Sequence, residues 1–144
     1  MPYRYLENIA TADVAFEAWG ATLEELFSAA ADATLNVMVE EPATISCEVT
    51  IPIDLENNAL DLLLYDFLTE IIFLKDSRQL LLRPRAISLS EEDGTWELSL
   101  DLCGARIDPA LHRLNVDVKA VTLHHFNLVQ LGDNSWQATV VLDI

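Results

Sequence analysis

The sequence predicts an α+β fold in which two helices pack on a largely antiparallel or mixed β-sheet. Two segments repeat apolar residues at helical spacing, and the remaining apolar segments alternate with polar residues as strands do. The second half of the chain contains only alternating segments, separated by turn and loop residues. Two helices and about six strands in this order favour helices on one side of a largely antiparallel sheet.

The first helix has clear signals at both ends. Residues 12–19 alternate as a strand that ends at Gly20, and Thr22 with Glu25 three residues later forms a capping box. The apolar stripe that follows predicts a helix facing the core, and Pro42 closes this element. The stripe consists of Leu23, Leu26, Phe27, Ala30, Ala33, Val37 and Met38.

The second helix follows a second strand at residues 45–53. Asn57 or Asn58 can cap this helix, which we expect to end near Lys75. Its apolar residues cover more than the stripe that one sheet face needs. The additional ones are Leu62, Tyr65, Ile72 and Phe73. Either the helix is buried on two sides, or it exposes an apolar strip to a partner.

The rest of the chain predicts strands joined by turns. Pro84 interrupts the first of these strands and indicates an edge strand or a bend. We expect strands at residues 80–89, 95–103, 114–131 (one long strand or a bent pair) and 135–144, with a loop at 104–111 and a hairpin loop at 132–135.

Length and charge set further limits on function. The chain has 144 residues and a mass of 16.1 kDa, which predicts one domain spanning residues 1–144. It carries 8 Lys and Arg against 24 Asp and Glu, a formal net charge of −16. Because binding to a nucleic-acid backbone depends on Lys and Arg, direct nucleic-acid binding is not expected. The charge favours basic partners, divalent cations or simple solubility.

The composition of the termini and the cysteines indicates a soluble, cytoplasmic protein without membrane association. The N-terminal residues carry no apolar signal region, and the longest apolar stretch, residues 59–74, is too short and too acidic to span a bilayer. Cys47 and Cys103 lie far apart in apolar segments, where a free cysteine behaves as a small buried hydrophobic residue. One long-range disulfide between them stays possible, but no disulfide framework or zinc-ligand spacing is present.

Motifs that carry chemistry are sparse. The chain contains no Walker loop, no GxGxxG, no GxSxG and no HExxH motif. His124 and His125 are adjacent on a predicted strand and should point to opposite faces, so only one of them can join a given site. An isolated histidine is more often a structural or surface residue than a ligand.

The most unusual feature is the end of the chain, which lies inside a predicted strand. Asp143 and the α-carboxylate of Ile144 are therefore two anionic groups on a rigid element. Counting back through the predicted hairpin, Asp143 faces His124 and Ile144 faces Leu123. Both carboxylates should then lie beside the segment 119–124.

Asp13 is the other candidate for this site. It lies at the entry of the first strand, where an aspartate is usually a turn or solvent-facing residue. Together with Asp143 and the terminal carboxylate, it would form an all-oxygen site that suits Ca²⁺, Mg²⁺ or Mn²⁺. Lys119 could pair with these acids or contact an anionic ligand, or it could be an ordinary exposed lysine.

Three segments of the chain resemble the archease family. The N-terminal match is YLENIATADVAFEAWGATLEELFSAAADATLNVMV, and the C-terminal matches are GARIDPALHRLNVDVKAVTLHHF and WQATVVLDI. The most specific pieces are TAD followed by AWG and LEELF, then VKAVT, then the final LDI. The resemblance covers essentially the whole chain, in order.

The resemblance implies an accessory protein rather than an enzyme. Archease assists the tRNA-splicing RNA ligase of the RtcB type, which uses GTP and a divalent metal, and it promotes formation of the ligase–guanylate intermediate and multiple turnover. The family's ligands for a divalent ion such as calcium match Asp13, Asp143 and the carboxylate of Ile144. Its lysine in VKAVT matches Lys119, and the histidine after that motif matches His124.

Three positions depart from the family pattern. Asn8 stands where a histidine is usual, Ala105 where an acid commonly follows the glycine, and Leu123 where an aromatic residue is common. Loss of a histidine and an acid removes groups that could support a metal. The alternative function is therefore a metal-independent acidic adaptor or chaperone-like protein. A metal-dependent phosphoester hydrolase is a third class, but no convincing nucleophile or general base lies near the acids.

Overall fold

The computed structural model describes residues 2–7 and 13–144, and it confirms the α+β fold class. The strands in these ranges are β1 (Tyr3–Leu6), β2 (Val14–Gly20), β3 (Val49–Asn57), β4 (Leu80–Glu92), β5 (Thr95–Arg106), β6 (Ala120–Gln130) and β7 (Trp136–Asp143). The helices are α1 (Leu23–Met38) and α2 (Leu60–Arg78), and a short 3-10 turn spans Pro42–Thr44.

The strands form two sheets, where the sequence pattern indicates one. The first sheet has the order β1-β2-β7-β6 and the second has the order β3-β5-β4, and all neighbouring strands are antiparallel. Helix α1 contacts β2 and β7 of the first sheet and β4 of the second. Helix α2 contacts β6 of the first sheet and all three strands of the second. Each helix therefore packs against both sheets.

Packing against two sheets explains the wide apolar surface of α2. Most of its apolar residues are buried, and Phe67 stacks on Phe27 of α1 with ring centroids 5.8 Å apart. A helix covered on two sides needs more than one apolar stripe. Leu62 and Phe73 remain 39% and 58% exposed, so burial accounts for Tyr65 and Ile72 among the four additional apolar residues but not for these two.

The start of α1 follows the sequence signals. The Thr22 hydroxyl accepts a hydrogen bond from the Glu25 N–H at 3.2 Å, and the Glu25 carboxylate accepts one from the Thr22 N–H at 3.3 Å. This is the expected capping box. Gly20 allows the helix to approach β2 closely, since a Cβ at this position would lie 2.6 Å from the Leu26 nitrogen.

The start of α2 differs from the prediction. The residue before the helix is Ala59, and the Asn57 side chain instead accepts a hydrogen bond from the Ala59 N–H at 3.0 Å in the preceding turn. The helix continues past Lys75, and Gln79, in the left-handed region at φ 57°, ends it. None of the helices in the described ranges is long and apolar enough to cross a membrane.

Two strand boundaries in the second half also differ from the predictions. β5 extends through residues 104–106, which pair with β4 and which the sequence pattern predicts as loop. The irregular segment is instead residues 107–119, and β6 begins only after it. Pro84 lies on the edge strand β4, beside a register shift between Arg85 and Ser88, in agreement with the expected edge or bend.

Candidate functional site

The candidate site lies where β7 ends between its two neighbours. β7 pairs with β2 on one side, with Val14 opposite Leu142, and with β6 on the other side, with Ala120 opposite Asp143. Continued by one residue, the register of β2 and β7 sets Asp13 opposite Asp143. The two aspartates therefore lie on neighbouring chain segments at one end of the sheet, although they come from opposite ends of the sequence.

Strand alternation assigns both aspartates to the face of the first sheet that points away from the helices. Val140 and Leu142 of β7 are fully buried in the core, so Asp143 belongs to the opposite face. Phe16 of β2 is likewise buried in the core, which assigns Asp13 to the same face as Asp143. Asp143 is exposed and Asp13 is partly buried.

Within the described part of the chain, neither aspartate side chain is paired. The described residues contribute no hydrogen bond or ion pair to the carboxylate of Asp13 or of Asp143. A carboxylate without a protein partner keeps all of its lone pairs for another ligand. The neighbour of Asp143 on β6 is Ala120, a small residue that carries no competing charge.

Two contacts hold the last residues of the chain to the sheet. The Asp143 carbonyl oxygen accepts a hydrogen bond from the Lys119 N–H at 2.8 Å. The Ile144 side chain is partly buried against the hydrophobic core. Because these residues are already ordered, their carboxylates lose little conformational freedom when they bind a ligand.

Lys119 directly precedes β6 and lies beside the end of β7. It is exposed and lines a groove of about 200 Å³ between α2 and β6, together with Phe73 and Asp76 of α2. Ala120, the partner of Asp143 on β6, lines the same groove. In the described ranges, Lys119 forms no ion pair, so its contribution to the strand ends is its main-chain hydrogen bond.

The structure does not bring His124 opposite Asp143, and the register predicted from the sequence is wrong there. β6 and β7 change register between Thr122 and Asn127, and His124 lies within this bulge. Counting back from the hairpin assumes an uninterrupted ladder, but the bulge inserts additional residues into β6. Ala120 therefore faces Asp143, and His124 has no partner on β7.

The expected division of the two histidines between opposite faces is also wrong. His125 adopts a left-handed conformation at φ 55°, which breaks the alternation of the strand. The imidazole centroids of His124 and His125 consequently lie 4.1 Å apart in an edge-to-face arrangement. Both side chains are exposed.

The donor set at the strand ends consists of oxygen atoms. In residues 2–7 and 13–144, no group of three or more His, Cys, Asp and Glu side chains is placed to hold a metal ion. A site here therefore needs the α-carboxylate of Ile144 in addition to Asp13 and Asp143. Carboxylate oxygens alone fit a hard cation such as Ca²⁺, Mg²⁺ or Mn²⁺ and do not fit a soft metal.

The positions that depart from the family pattern have different environments. Asn8 lies outside the described residues. Ala105 is 2% exposed and pairs with Leu81 in the second sheet, so an acid at this position would be buried beside an apolar residue. Leu123 is 59% exposed in the bulge of β6.

One buried cation was not identified from the sequence. Lys75 is 5% exposed, and its Nζ lies 2.6 Å from an Asp76 carboxylate oxygen and 2.6 Å from an Asp117 carboxylate oxygen. A lysine directly after the apolar residues of α2 is the only signal in the sequence, and it is equally typical of an exposed helix end. Asp117 lies in the segment that leads into β6, so Lys75 connects α2 with one strand of the candidate site.

Comparison with known proteins gives consistent matches along the chain. The sequence profile of the archease protein family matches residues 3–144. Protein archease of Pyrococcus furiosus is 36% identical over 134 residues, which cover 93% of this chain and 94% of the relative. Protein archease of Archaeoglobus fulgidus is 33% identical over 144 residues, which cover the full length of both chains.

Two solved structures resemble this one. The solution structure of protein 1598 from Methanobacterium thermoautotrophicum has a TM-score of 0.84 and 27% identity, and the match covers 99% of each chain. The crystal structure of an archease from Thermotoga maritima, described as a possible chaperone, has a TM-score of 0.56 and 20% identity, and covers 94% of this chain and 93% of that one. The second likeness shows the fold alone.

Proposed function

This chain belongs to the archease protein family, and from this premise we propose that it is a metal-binding accessory protein that activates an RtcB-type RNA ligase. It promotes guanylylation and multiple turnover of the ligase in tRNA splicing or RNA repair, and it is not itself an enzyme.

The observation that supports this proposal best is the pairing of Val14 with Leu142, because this register, continued by one residue, would bring Asp13 opposite Asp143 on one face of the sheet. With the α-carboxylate of Ile144, these residues would hold a divalent cation. Three carboxylates satisfy the preference of Ca²⁺, Mg²⁺ and Mn²⁺ for oxygen ligands. The bound cation would supply positive charge to phosphate groups in the partner's guanylylation site.

The net charge of −16 is consistent with this role. A strongly acidic protein does not compete for RNA phosphates, which repel it. It is attracted to the basic surface that an RNA ligase needs for its own substrate, and this attraction raises the rate of encounter. The partner of this chain is therefore the ligase and not the RNA.

A metal-independent adaptor is the second candidate function. It is favoured by the finding that, in the described part of the chain, no three His, Cys, Asp and Glu side chains form a metal-binding group. In this case the acidic surface alone would bind the ligase and stabilise a reactive conformation.

The deciding experiment measures ligase turnovers with GTP and a limiting amount of this protein. We expect Asp143→Asn to reduce the number of turnovers at least about tenfold, whereas Asp93→Asn, which makes the same change in charge at the β4–β5 turn, leaves it unchanged. Calorimetry with Ca²⁺, Mg²⁺ and Mn²⁺ should show binding to the wild type and not to Asp143→Asn.

The two candidate functions make opposite predictions for this comparison. If Asp143→Asn supports as many turnovers as the wild type and calorimetry detects no ion, the adaptor is correct and the metal site is not. If neither the wild type nor Asp143→Asn changes the number of ligase turnovers, both candidate functions are wrong.

A further inference from the structure

A pair of cysteines lies on the second sheet. Cys47 precedes β3 and Cys103 lies on β5, their Cα atoms are 5.2 Å apart, and a disulfide joins them. The ladder between β3 and β5 explains this proximity, since Thr50 pairs with Cys103 and the Glu48 N–H donates a hydrogen bond to the Gly104 carbonyl oxygen at 2.8 Å. The disulfide that the sequence left open is therefore compatible with the fold.

Arg85 contacts both sulfur atoms. Its Nη1 atom lies 3.3 Å from the Cys47 sulfur and 3.4 Å from the Cys103 sulfur. A guanidinium gains little from a neutral disulfide, but it stabilises the thiolate that forms when the bond opens. This contact is therefore most favourable in the reduced protein.

The two cysteines differ in exposure. Cys47 is exposed, whereas Cys103 is 5% exposed. A molecule in solution can reach the Cys47 sulfur, and Cys103 lies behind it within bonding distance. An accessible cysteine beside a second, shielded cysteine is typical of an attacking and a resolving thiol.

We propose that Cys47 and Cys103 form a reversible thiol–disulfide exchange site for low-molecular-weight thiols and disulfides of the glutathione class. Glutathione is anionic, and on a chain of net charge −16 the Arg85 guanidinium supplies the local positive charge that such a molecule needs. The site is independent of the proposed metal centre.

The exchange balances in two steps. The Cys47 thiolate attacks one sulfur of the small disulfide, whose sulfur–sulfur bond breaks, and the departing thiolate takes a proton from water. Cys103 then releases its thiol proton to solvent and attacks the Cys47 sulfur. The sulfur–sulfur bond of the mixed disulfide breaks, and the second small molecule leaves as a thiolate that takes a proton from solvent. Two electrons pass from the protein sulfurs to the small disulfide, and the reverse sequence reduces the protein.

The first experiment equilibrates the full chain with different ratios of reduced to oxidised glutathione, alkylates the free thiols in acid-quenched samples and counts the labels by mass spectrometry. We expect the oxidised fraction to vary with the ratio and to reach the same value from oxidised and from reduced protein. If the chain stays oxidised in excess reduced glutathione, the disulfide is structural. If the chain stays reduced at every ratio, Cys47 and Cys103 do not form a disulfide. Either result overturns the proposal.

The second experiment tests Arg85 in Cys103→Ser protein, where Cys47 is the only thiol. We expect the rate of alkylation by iodoacetamide to fall about tenfold when Arg85→Gln is added, to recover with Arg85→Lys, and to stay unchanged with Arg78→Gln on α2. In the Cys47→Ser protein, the remaining buried thiol should react at least about tenfold more slowly than Cys47. Equal rates for Arg85→Gln and Arg78→Gln, or equal rates for the two cysteines, overturn the proposal.

Discussion

Lys75 of α2 donates a hydrogen bond from its Nζ to the carbonyl oxygen of Val118 at 2.7 Å, although the lysine is almost completely buried. The same ammonium lies 2.6 Å from the Asp117 carboxylate. Val118 is fully buried, and the N–H of the next residue, Lys119, donates to the Asp143 carbonyl oxygen. One buried cation therefore connects α2 to the segment before β6 and, through it, to the end of β7.

We expect Lys75→Met to lower the free energy of unfolding by about 1–3 kcal/mol, because the buried carbonyl of Val118 loses its donor. The Asp117 carboxylate is largely exposed and regains water, so it contributes little to this loss. Urea unfolding measures the change. Lys119→Met is the matched control and should stay within about 0.5 kcal/mol of the wild type. Equal stability of the two variants would show that the buried ammonium is not structurally important.

Gly104 permits a close approach of β4 to β5. A Cβ at this position would overlap the carbonyl oxygen of Leu81, which belongs to the backbone and has no room to move. We expect Gly104→Ala to destabilise the fold by about 3 kcal/mol or more, as overpacking and a lost strand pairing combine. Urea unfolding is again the measurement.

Gly132→Ala is the control for this substitution. Gly132 lies in the hairpin before β7, and a Cβ there would meet no atom within 4 Å. Its stability should stay within about 0.5 kcal/mol of the wild type. If Gly104→Ala unfolded at the same urea concentration as Gly132→Ala, the close approach of the two strands would be refuted.

The parts of the fold that depend on local interactions are predictable from the sequence. The capping box of Thr22 and Glu25 needs only four residues, and it forms as expected. The register of β6 is not predictable, because it depends on a bulge in which His125 takes a left-handed conformation without a glycine or asparagine to signal it. This bulge shifts the pairing of β6 with β7 at every position between the bulge and the end of the chain.

The composition of the candidate site depends on contacts that are distant in sequence. Spacing alone offers Asp13 with Asp143 only as one candidate grouping of acids from the two ends of the chain, and the resemblance to a family supports it. One of the three partners of Lys75 is the main-chain carbonyl of Val118, which leaves no pattern in the side chains. The sheet register and the main-chain contacts become visible only in the folded structure.

Tyr5 makes stability depend on pH in the alkaline range. Its hydroxyl donates to the Ala33 carbonyl oxygen at 2.9 Å and lies 3.0 Å from the Asn36 side-chain oxygen. Burial, with a smaller contribution from Tyr3, raises the pKa of Tyr5 above its ordinary value of 10.0. Above that pH the unfolded chain releases the phenolic proton while the folded chain keeps it, so this contribution to stability is complete below about pH 10 and decreases as the pH rises further.

We expect the free energy of unfolding of Tyr5→Phe to decrease less steeply than that of the wild type between about pH 9 and pH 11. Near pH 8 the variant should be about 1 kcal/mol less stable than the wild type, because it lacks the hydrogen bond to Ala33. Urea unfolding at several pH values gives both curves. Parallel curves over the whole range would contradict the raised pKa of Tyr5.

Replacing Asp13 or Asp143 with asparagine should make the protein more stable than the wild type without divalent ions and less stable than the wild type with them. Two carboxylates that oppose each other on neighbouring strands repel, typically by about 0.2–1 kcal/mol. In the presence of a chelator, we therefore expect Asp13→Asn and Asp143→Asn to be slightly more stable than the wild type. A cation held between the carboxylates binds only the folded chain, and at a concentration of about 100 times its Kd it would stabilise the wild type by about 2.7 kcal/mol.

Thermal unfolding with EDTA, and then with increasing Ca²⁺, Mg²⁺ or Mn²⁺, measures both effects in the same samples. The Tm of the wild type should begin below those of the two variants and rise above them as the ion is added. Asp93→Asn, with the same net charge as the variants, should follow the wild type at every ion concentration, which separates the site from general screening of an acidic surface. Adding residues after Ile144 converts its α-carboxylate into a peptide bond. This change should reduce the rise in Tm on addition of the ion and leave the Tm measured with EDTA unchanged. A rise in Tm of the same size in Asp143→Asn and in the wild type would show that the ion binds elsewhere. The two carboxylates of the wild type would then repel with and without the ion, and its Tm would stay below that of the variant.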